Sequence, residues 1–95
     1  MGIEGGSTSE EFIITAVPNP SAGGVSIAVP ALYAEDVELF VYDLSGKVVR
    51  VLSERNGNTF IWDGRDSSGH EAPTGTYIIR GIVEDRSATV RFVKL

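Results

Sequence analysis

The chain reads as a succession of short apolar stretches cut by turn residues. Phe12-Ile13-Ile14-Thr15-Ala16-Val17 is an extended apolar run halted by Pro18-Asn19-Pro20-Ser21. Two prolines one residue apart forbid a helix there and mark a strand exit or a switch between sheets. Gly23-Gly24 opens Val25-Ser26-Ile27-Ala28-Val29, which alternates with period two and ends at Pro30. Residues 31–36 carry the one helical preference, enough for a single turn. Val37-Glu38-Leu39-Phe40-Val41-Tyr42-Asp43 is a third strand with Val37, Leu39 and Val41 on one face. Leu44-Ser45-Gly46-Lys47 turns it back into Val48-Val49-Arg50-Val51-Leu52, completing a hairpin. Arg55-Asn56-Gly57-Asn58 reads as a second turn. It leads to Thr59-Phe60-Ile61-Trp62, which sets Phe60 and Trp62 on one face. A polar loop covers residues 63–74, and Gly75 leads into a strand over 76–84. The pair Asp85-Arg86 turns the chain once more. A last strand over 87–93 alternates Ala88, Val90 and Phe92 with Ser87, Thr89 and Arg91.

About seven strands, short turns and no segment of helical period predict an all-β chain. The arrangement expected is an immunoglobulin-like antiparallel β-sandwich. Its apolar residues are largely Val and Ile, which suit pleated, half-buried surfaces. Met1-Gly2-Ile3-Glu4-Gly5-Gly6-Ser7 has the look of an expression tag running into a flexible linker. Residues 1–10 are therefore set apart, and residues 11–95 are read as one domain. A chain of 95 residues is long enough for one core to hold without staples, since it buries roughly 60–70% of its unfolded surface.

Cysteine is absent, which removes disulfide frameworks, thiolate zinc sites and cysteine nucleophiles together. Eight basic residues are scattered among thirteen acidic ones, for a net charge of −5. A nucleic-acid binder needs clustered Lys and Arg to release phosphate counterions, so that class is excluded. No run approaches the roughly 18 apolar residues of a membrane helix, so no membrane insertion is expected. No charged-then-apolar signal peptide opens the chain. A secreted reading thus places this domain behind a covalently linked upstream domain of a larger protein.

Asp63, Asp66, Ser68 and Glu71 make an oxygen-rich loop. The spacing of an EF-hand is not met. Asp, Ser and Gly populate turns because their side chains bond nearby backbone and glycine accepts positive φ, and a structural turn is the expected reading. A weak cation site over residues 63–71 is its alternative. His70 is the single histidine, and Ser67 and Ser68 lie near it, but no nucleophile elbow surrounds either serine. Gly23-Gly24 lacks the Lys-Ser/Thr pair and helix of a phosphate loop. The expectation is a non-enzyme with no catalytic residues, no cofactor and no metal ligands. Trp62 and Tyr77 raise the alternative of a carbohydrate platform. Their register with Phe60 and with Ile79 and Val83 assigns them to the core.

If Val37, Leu39 and Val41 face inward, Phe40 and Tyr42 face outward. If Tyr77, Ile79 and Val83 face inward, Ile78, Arg80 and Ile82 face outward. Third and sixth strands are neighbours in immunoglobulin-like topology, so Phe40, Tyr42, Ile78 and Ile82 form one apolar patch around Arg80. Either this patch receives a partner, or its cross-strand pairs merely stabilise the outer face. A second candidate contact is the terminal Phe92-Val93-Lys94-Leu95, whose free end and sheet edge offer strand addition.

Four landmarks stand in order: Val17-Pro18-Asn19-Pro20-Ser21, then Tyr42-Asp43-Leu44-Ser45-Gly46-Lys47, then Trp62-Asp63-Gly64-Arg65-Asp66 with Gly69, then Pro73-Thr74-Gly75-Thr76-Tyr77. Together, from about Val17 to Leu95, they resemble the immunoglobulin-like domain of the flagellar hook-capping protein. They also resemble the C-terminal sorting domain of type IX secretion cargo. The Trp62-Asp63-Gly64-Arg65-Asp66 loop is closer to the hook-capping branch, whereas Val90-Arg91-Phe92-Val93-Lys94-Leu95 resembles the basic-apolar last strand of the sorting branch. The resemblance, with sorting placed first, implies a module recognised by outer-membrane secretion machinery. Such a module reaches the cell surface through the periplasm, and the resemblance leaves open both its retention and its removal in exchange for a surface anchor. The structural alternative is a hook-cap-type domain or a spacer attached to an extracellular enzyme.

Overall fold

Short β-branched runs between turns leave the backbone amides one place to bond, the neighbouring strand. The structure, a computed structural model, describes residues 12–95, in which these runs pair into two four-stranded antiparallel sheets. The tag and linker expected over residues 1–10 lie outside the described residues. The strands are β1 (Thr15–Val17), β2 (Val25–Ala28), β3 (Glu38–Asp43), β4 (Val48–Leu52), β5 (Arg55–Asn56), β6 (Thr59–Trp62), β7 (Gly75–Val83) and β8 (Arg86–Lys94). One sheet has the order β1-β2-β6-β5 and the other β4-β3-β7-β8. This is the expected immunoglobulin-like sandwich.

Two details differ from the sequence reading. The turn read over residues 55–58 contains a strand of its own, because Arg55 pairs with Phe60 and Asn56 with Thr59 around a two-residue Gly57-Asn58 turn. The last hairpin turns at Glu84-Asp85, one residue early, since Val83 pairs with Arg86. Glu84 adopts φ 57, a left-handed conformation that glutamate seldom takes, so nothing in its chemistry announced it. The single helical turn appears as a 3-10 turn at Ala31–Tyr33.

The inward faces meet as the alternation requires. Val25, Ile27, Phe60 and Trp62 come from one sheet, joined by Ile14 just ahead of β1, and Leu39, Val41, Tyr77, Ile79 and Phe92 come from the other. Trp62 is fully buried, with Tyr77 and Phe92 edge-on to it at 5.3 and 5.8 Å between ring centroids. That geometry suits the quadrupoles of the rings. At the other end of the core Gly81 faces inward. A Cβ there would lie 2.9 Å from Leu39 Cδ2 and 3.1 Å from Phe12 Cζ, so the absence of a side chain makes room for the Phe12 ring.

The Pro18-Asn19-Pro20 stretch is a sheet switch. After β1 the chain crosses to the other sheet, where Ser21 forms a parallel bridge with Lys94 at the outer edge of β8. Ser21 N–H donates to the Val93 carbonyl at 3.0 Å and Leu95 N–H to the Ser21 carbonyl at 2.9 Å. The Asn19 side chain adds one bond to the Arg91 carbonyl and one from the Val93 N–H.

Candidate docking surface

The outer face of the β4-β3-β7-β8 sheet is built by register. Phe40 stands opposite Arg80, Tyr42 opposite Ile78 and Glu38 opposite Ile82. On the β8 side Arg80 meets Thr89 and Ile78 meets Arg91. The patch expected from alternation is therefore assembled, with Phe40, Tyr42, Ile78 and Ile82 half-buried and Arg80 exposed. The Phe40 and Tyr42 rings lie 6.1 Å apart.

The patch extends further than the sequence reading had it. Val51 pairs with Phe40 and Val48 with Tyr42, adding side chains that are 54% and 44% exposed. Val48 and Val51 are three residues apart, which in a regular strand would send them to opposite faces. A bulge between these pairs places both Val49 and Arg50 in the space of one residue, and the two outer valines come to the same side. Periodicity alone cannot reveal such a bulge. Strand β4 thereby carries a row of exposed valine onto the patch, with Val49 turned toward the core.

Arg80 lines a shallow depression of about 370 Å³ together with Tyr42, Leu44, Ile78 and Thr89. Among the described residues its guanidinium makes no ion pair and no side-chain hydrogen bond. Asp43 also borders the depression, but its Oδ1 is occupied by the Ser45 N–H, the Ser45 hydroxyl and the Lys47 N–H.

The second candidate contact needs correction. Phe92 and Lys94 point inward and are buried, Val93 is half-buried, and of the four only Leu95 is exposed. The edge of β8 beside residues 91–95 is already occupied by Asn19 and Ser21. Strand addition at this end is blocked in the folded domain. The Lys94 ammonium lies 3.1 Å from the Glu71 carboxylate, and its side chain is 2% exposed. A cation ends the last inward row of β8 because its aliphatic stem continues the core while its charge is met by the Glu71 carboxylate of the loop.

The oxygen-rich loop spends its carboxylates on its own backbone and on ion pairs with Arg50 and Lys94. Asp63 Oδ1 accepts from Arg65 N–H at 3.0 Å and from the Arg50 guanidinium at 2.9 Å. Burial pushes the Asp63 carboxyl up, but these hydrogen bonds and the two arginine charges outweigh it and hold its pKa below the ordinary 3.8. Asp66 Oδ1 accepts from the N–H groups of Ser68 and His70. His70, Ser67 and Ser68 are exposed, and among the described residues no three His, Asp or Glu side chains converge where a metal could sit. The Trp62 indole donates to the Arg65 carbonyl at 2.9 Å, pinning the loop to the core. Buried Trp62 and Tyr77 leave no carbohydrate platform at those positions.

One short repeat escaped the sequence reading. Asp43-Leu44-Ser45-Gly46-Lys47 and Asp66-Ser67-Ser68-Gly69-His70 form the same turn. In each, the Asp carboxylate accepts N–H bonds from the residues two and four ahead, and the Gly takes φ +89. The shared Asp-x-Ser-Gly spacing was the available signal. For Asp43 the Ser45 hydroxyl is the main cause of a lowered carboxyl pKa, helped by the Lys47 N–H. The two turns flank a groove of about 510 Å³ floored by Val49, Ala72 and Tyr77. The Tyr77 hydroxyl donates back to the Pro73 carbonyl, the tyrosine corner of immunoglobulin-like sandwiches. Burial, then the Asp43 charge, raises the Tyr77 pKa above 10.0.

Two sheets in this order, a tyrosine corner and a Trp-centred core define an immunoglobulin-like β-sandwich domain. The family model for the FlgD Ig-like domain matches residues 16–81, and the chain belongs to that family. Among solved structures it is similar in fold to PorZ of Porphyromonas gingivalis, an essential bacterial surface component of the type IX secretion system. The TM-score is 0.69 at 21% identity. The similarity covers 86% of this chain and 11% of that one, so the domain spans a small part of PorZ. Comparison with curated proteins found no match.

Proposed function

We propose that this chain is a non-catalytic sorting and anchoring module of a larger secreted bacterial protein, read in its folded form by an outer-membrane protein of the type IX secretion machinery. The observation that carries the reading is the outer face of the β4-β3-β7-β8 sheet, a contiguous apolar surface centred on an exposed Arg80. Apolar faces of this kind on small domains mark partner contacts. The fold shared with a domain-sized part of PorZ, a type IX surface component, is consistent with this setting. The polar loop supports a non-catalytic role, since its carboxylates are committed to turns and ion pairs that hold the fold.

A signal peptide and a fluorescent reporter fused ahead of this domain test the proposal in a type IX-competent bacterium. Delivery of the reporter to the cell surface, lost in a strain without the secretion machinery, is the expected result. A folded fusion that stays in the periplasm overturns it. The FlgD Ig-like family match and the Trp62-Asp63-Gly64-Arg65-Asp66 loop favour a structural module, of hook-cap type or a spacer beside an extracellular enzyme, as the reading that would then replace it.

A further inference from the structure

The outer sheet face carries a charge that conflicts with its surroundings. Arg80 stands between Phe40 and Thr89, in a row flanked by Tyr42 and Ile78 on one side and Ile82 on the other. The chain as a whole has a net charge of −5. On this face the cations are Arg80 and Arg91. Of the two nearby acids, Glu38 stands opposite Ile82, diagonal to Arg80, and Asp43 borders the depression with its Oδ1 committed to the Ser45 and Lys47 turn; neither pairs with the Arg80 guanidinium. A partner that covers the apolar side chains must also strip water from the Arg80 guanidinium. A purely apolar partner would leave a buried, unpaired charge, which opposes docking. A carboxylate meeting the guanidinium in a charge-assisted, two-pronged hydrogen bond removes that cost. The depression at Arg80 has the fitting chemistry, because the hydroxyl-bearing residues Tyr42 and Thr89 line it beside the apolar Ile78.

We infer that this face docks a protein segment of acidic-apolar character, one carboxylate seated on Arg80 and flanking aliphatic or aromatic side chains laid over Phe40, Tyr42 and Val51. The inference rests on the proposed module reading for where the partner is met, and it specifies the partner's chemistry. Phosphate-rich partners do not fit. Two arginines among apolar neighbours on an acidic chain lack the cation density that such partners require.

The test uses the isolated chain and two synthetic probes, independent of secretion. The isotopically labelled protein is titrated, with amide shifts followed by NMR, against the capped peptides Leu-Glu-Phe-Glu-Leu and Leu-Lys-Phe-Lys-Leu. The acidic peptide is expected to shift Tyr42, Ile78, Arg80 and Thr89 selectively, and Arg80→Glu to weaken it by about tenfold or more. The basic peptide is expected to bind no better to the parent than to Arg80→Glu. Arg80 is exposed, so this variant keeps the fold, and circular dichroism verifies it. Equal shifts from both peptides, shifts elsewhere, or no shifts at millimolar peptide overturn the inference. Concentration-dependent self-association through the same residues, seen by sedimentation, also overturns it in favour of a second copy of the chain. A failed secretion assay with a positive titration sinks the sorting role alone, and the converse sinks the carboxylate docking alone.

Discussion

Trp62 shows how one side chain joins core and loop. Its ring fills the centre between the sheets, while its indole N–H holds the Arg65 carbonyl at the start of the polar loop. Trp62→Ala removes both, and the expected loss is about 3–5 kcal/mol, read as a drop in denaturant midpoint. An unchanged midpoint would contradict the burial described. Glu84 presents the opposite case, an exposed residue in a conformation disfavoured for it by roughly 1–2 kcal/mol. Glu84→Gly is expected to raise the melting temperature by a few degrees, the relief of strain exceeding the added unfolded-state entropy. The lowered carboxyls of Asp43 and Asp63 set a pH dependence. Because their folded pKa values lie below the unfolded 3.8, their stabilisation is complete above that value and fades as pH falls through the folded values. Urea titrations across acid pH should show this decline, and the double variant Asp43→Asn, Asp63→Asn should flatten it.

At the scale of elements, the alternation of apolar residues located β2, β3, β6 and β7 and assigned their inward faces correctly, because one side of each is sealed by the opposite sheet. It failed where backbone rather than side chains decides. The bulge in β4, the two-residue β5 and the left-handed Glu84 each turn on a hydrogen-bond choice that no residue type enforces. The end of β8 belongs to the same group. Phe92 and Lys94 looked like an accessible terminus, yet the hydrogen bonds from Asn19 and Ser21, distant in sequence, fasten it. Deleting residues 93–95 removes the buried Lys94 stem, its Glu71 partner contact and the Ser21 bonds. The truncated protein is expected to unfold at markedly lower denaturant, whereas Lys94→Met, which keeps the stem, should lose far less. Equal losses would assign the effect to the charge.

For the molecule as a whole, the sandwich and its apolar outer face were legible in the sequence through periodicity. Four turn landmarks brought the family into view. The extent of the face and the closure of its neighbouring edge were not, since both depend on which strands lie side by side. That closure has a mechanical meaning. The stretch at Ser21 and the end of β8 run in the same direction, and tension applied to the two chain ends draws them in opposite senses along their length. The bonds at Asn19, Ser21, Val93 and Leu95 are then sheared together rather than unzipped one at a time. A domain held between a tethered partner and a cell surface would resist pulling through this clamp. Single-molecule stretching should show a high rupture force that Asn19→Ala and Ser21→Pro lower, the proline because it has no N–H to give Val93. Equal rupture forces in parent and variants would place the mechanical barrier elsewhere in the sandwich.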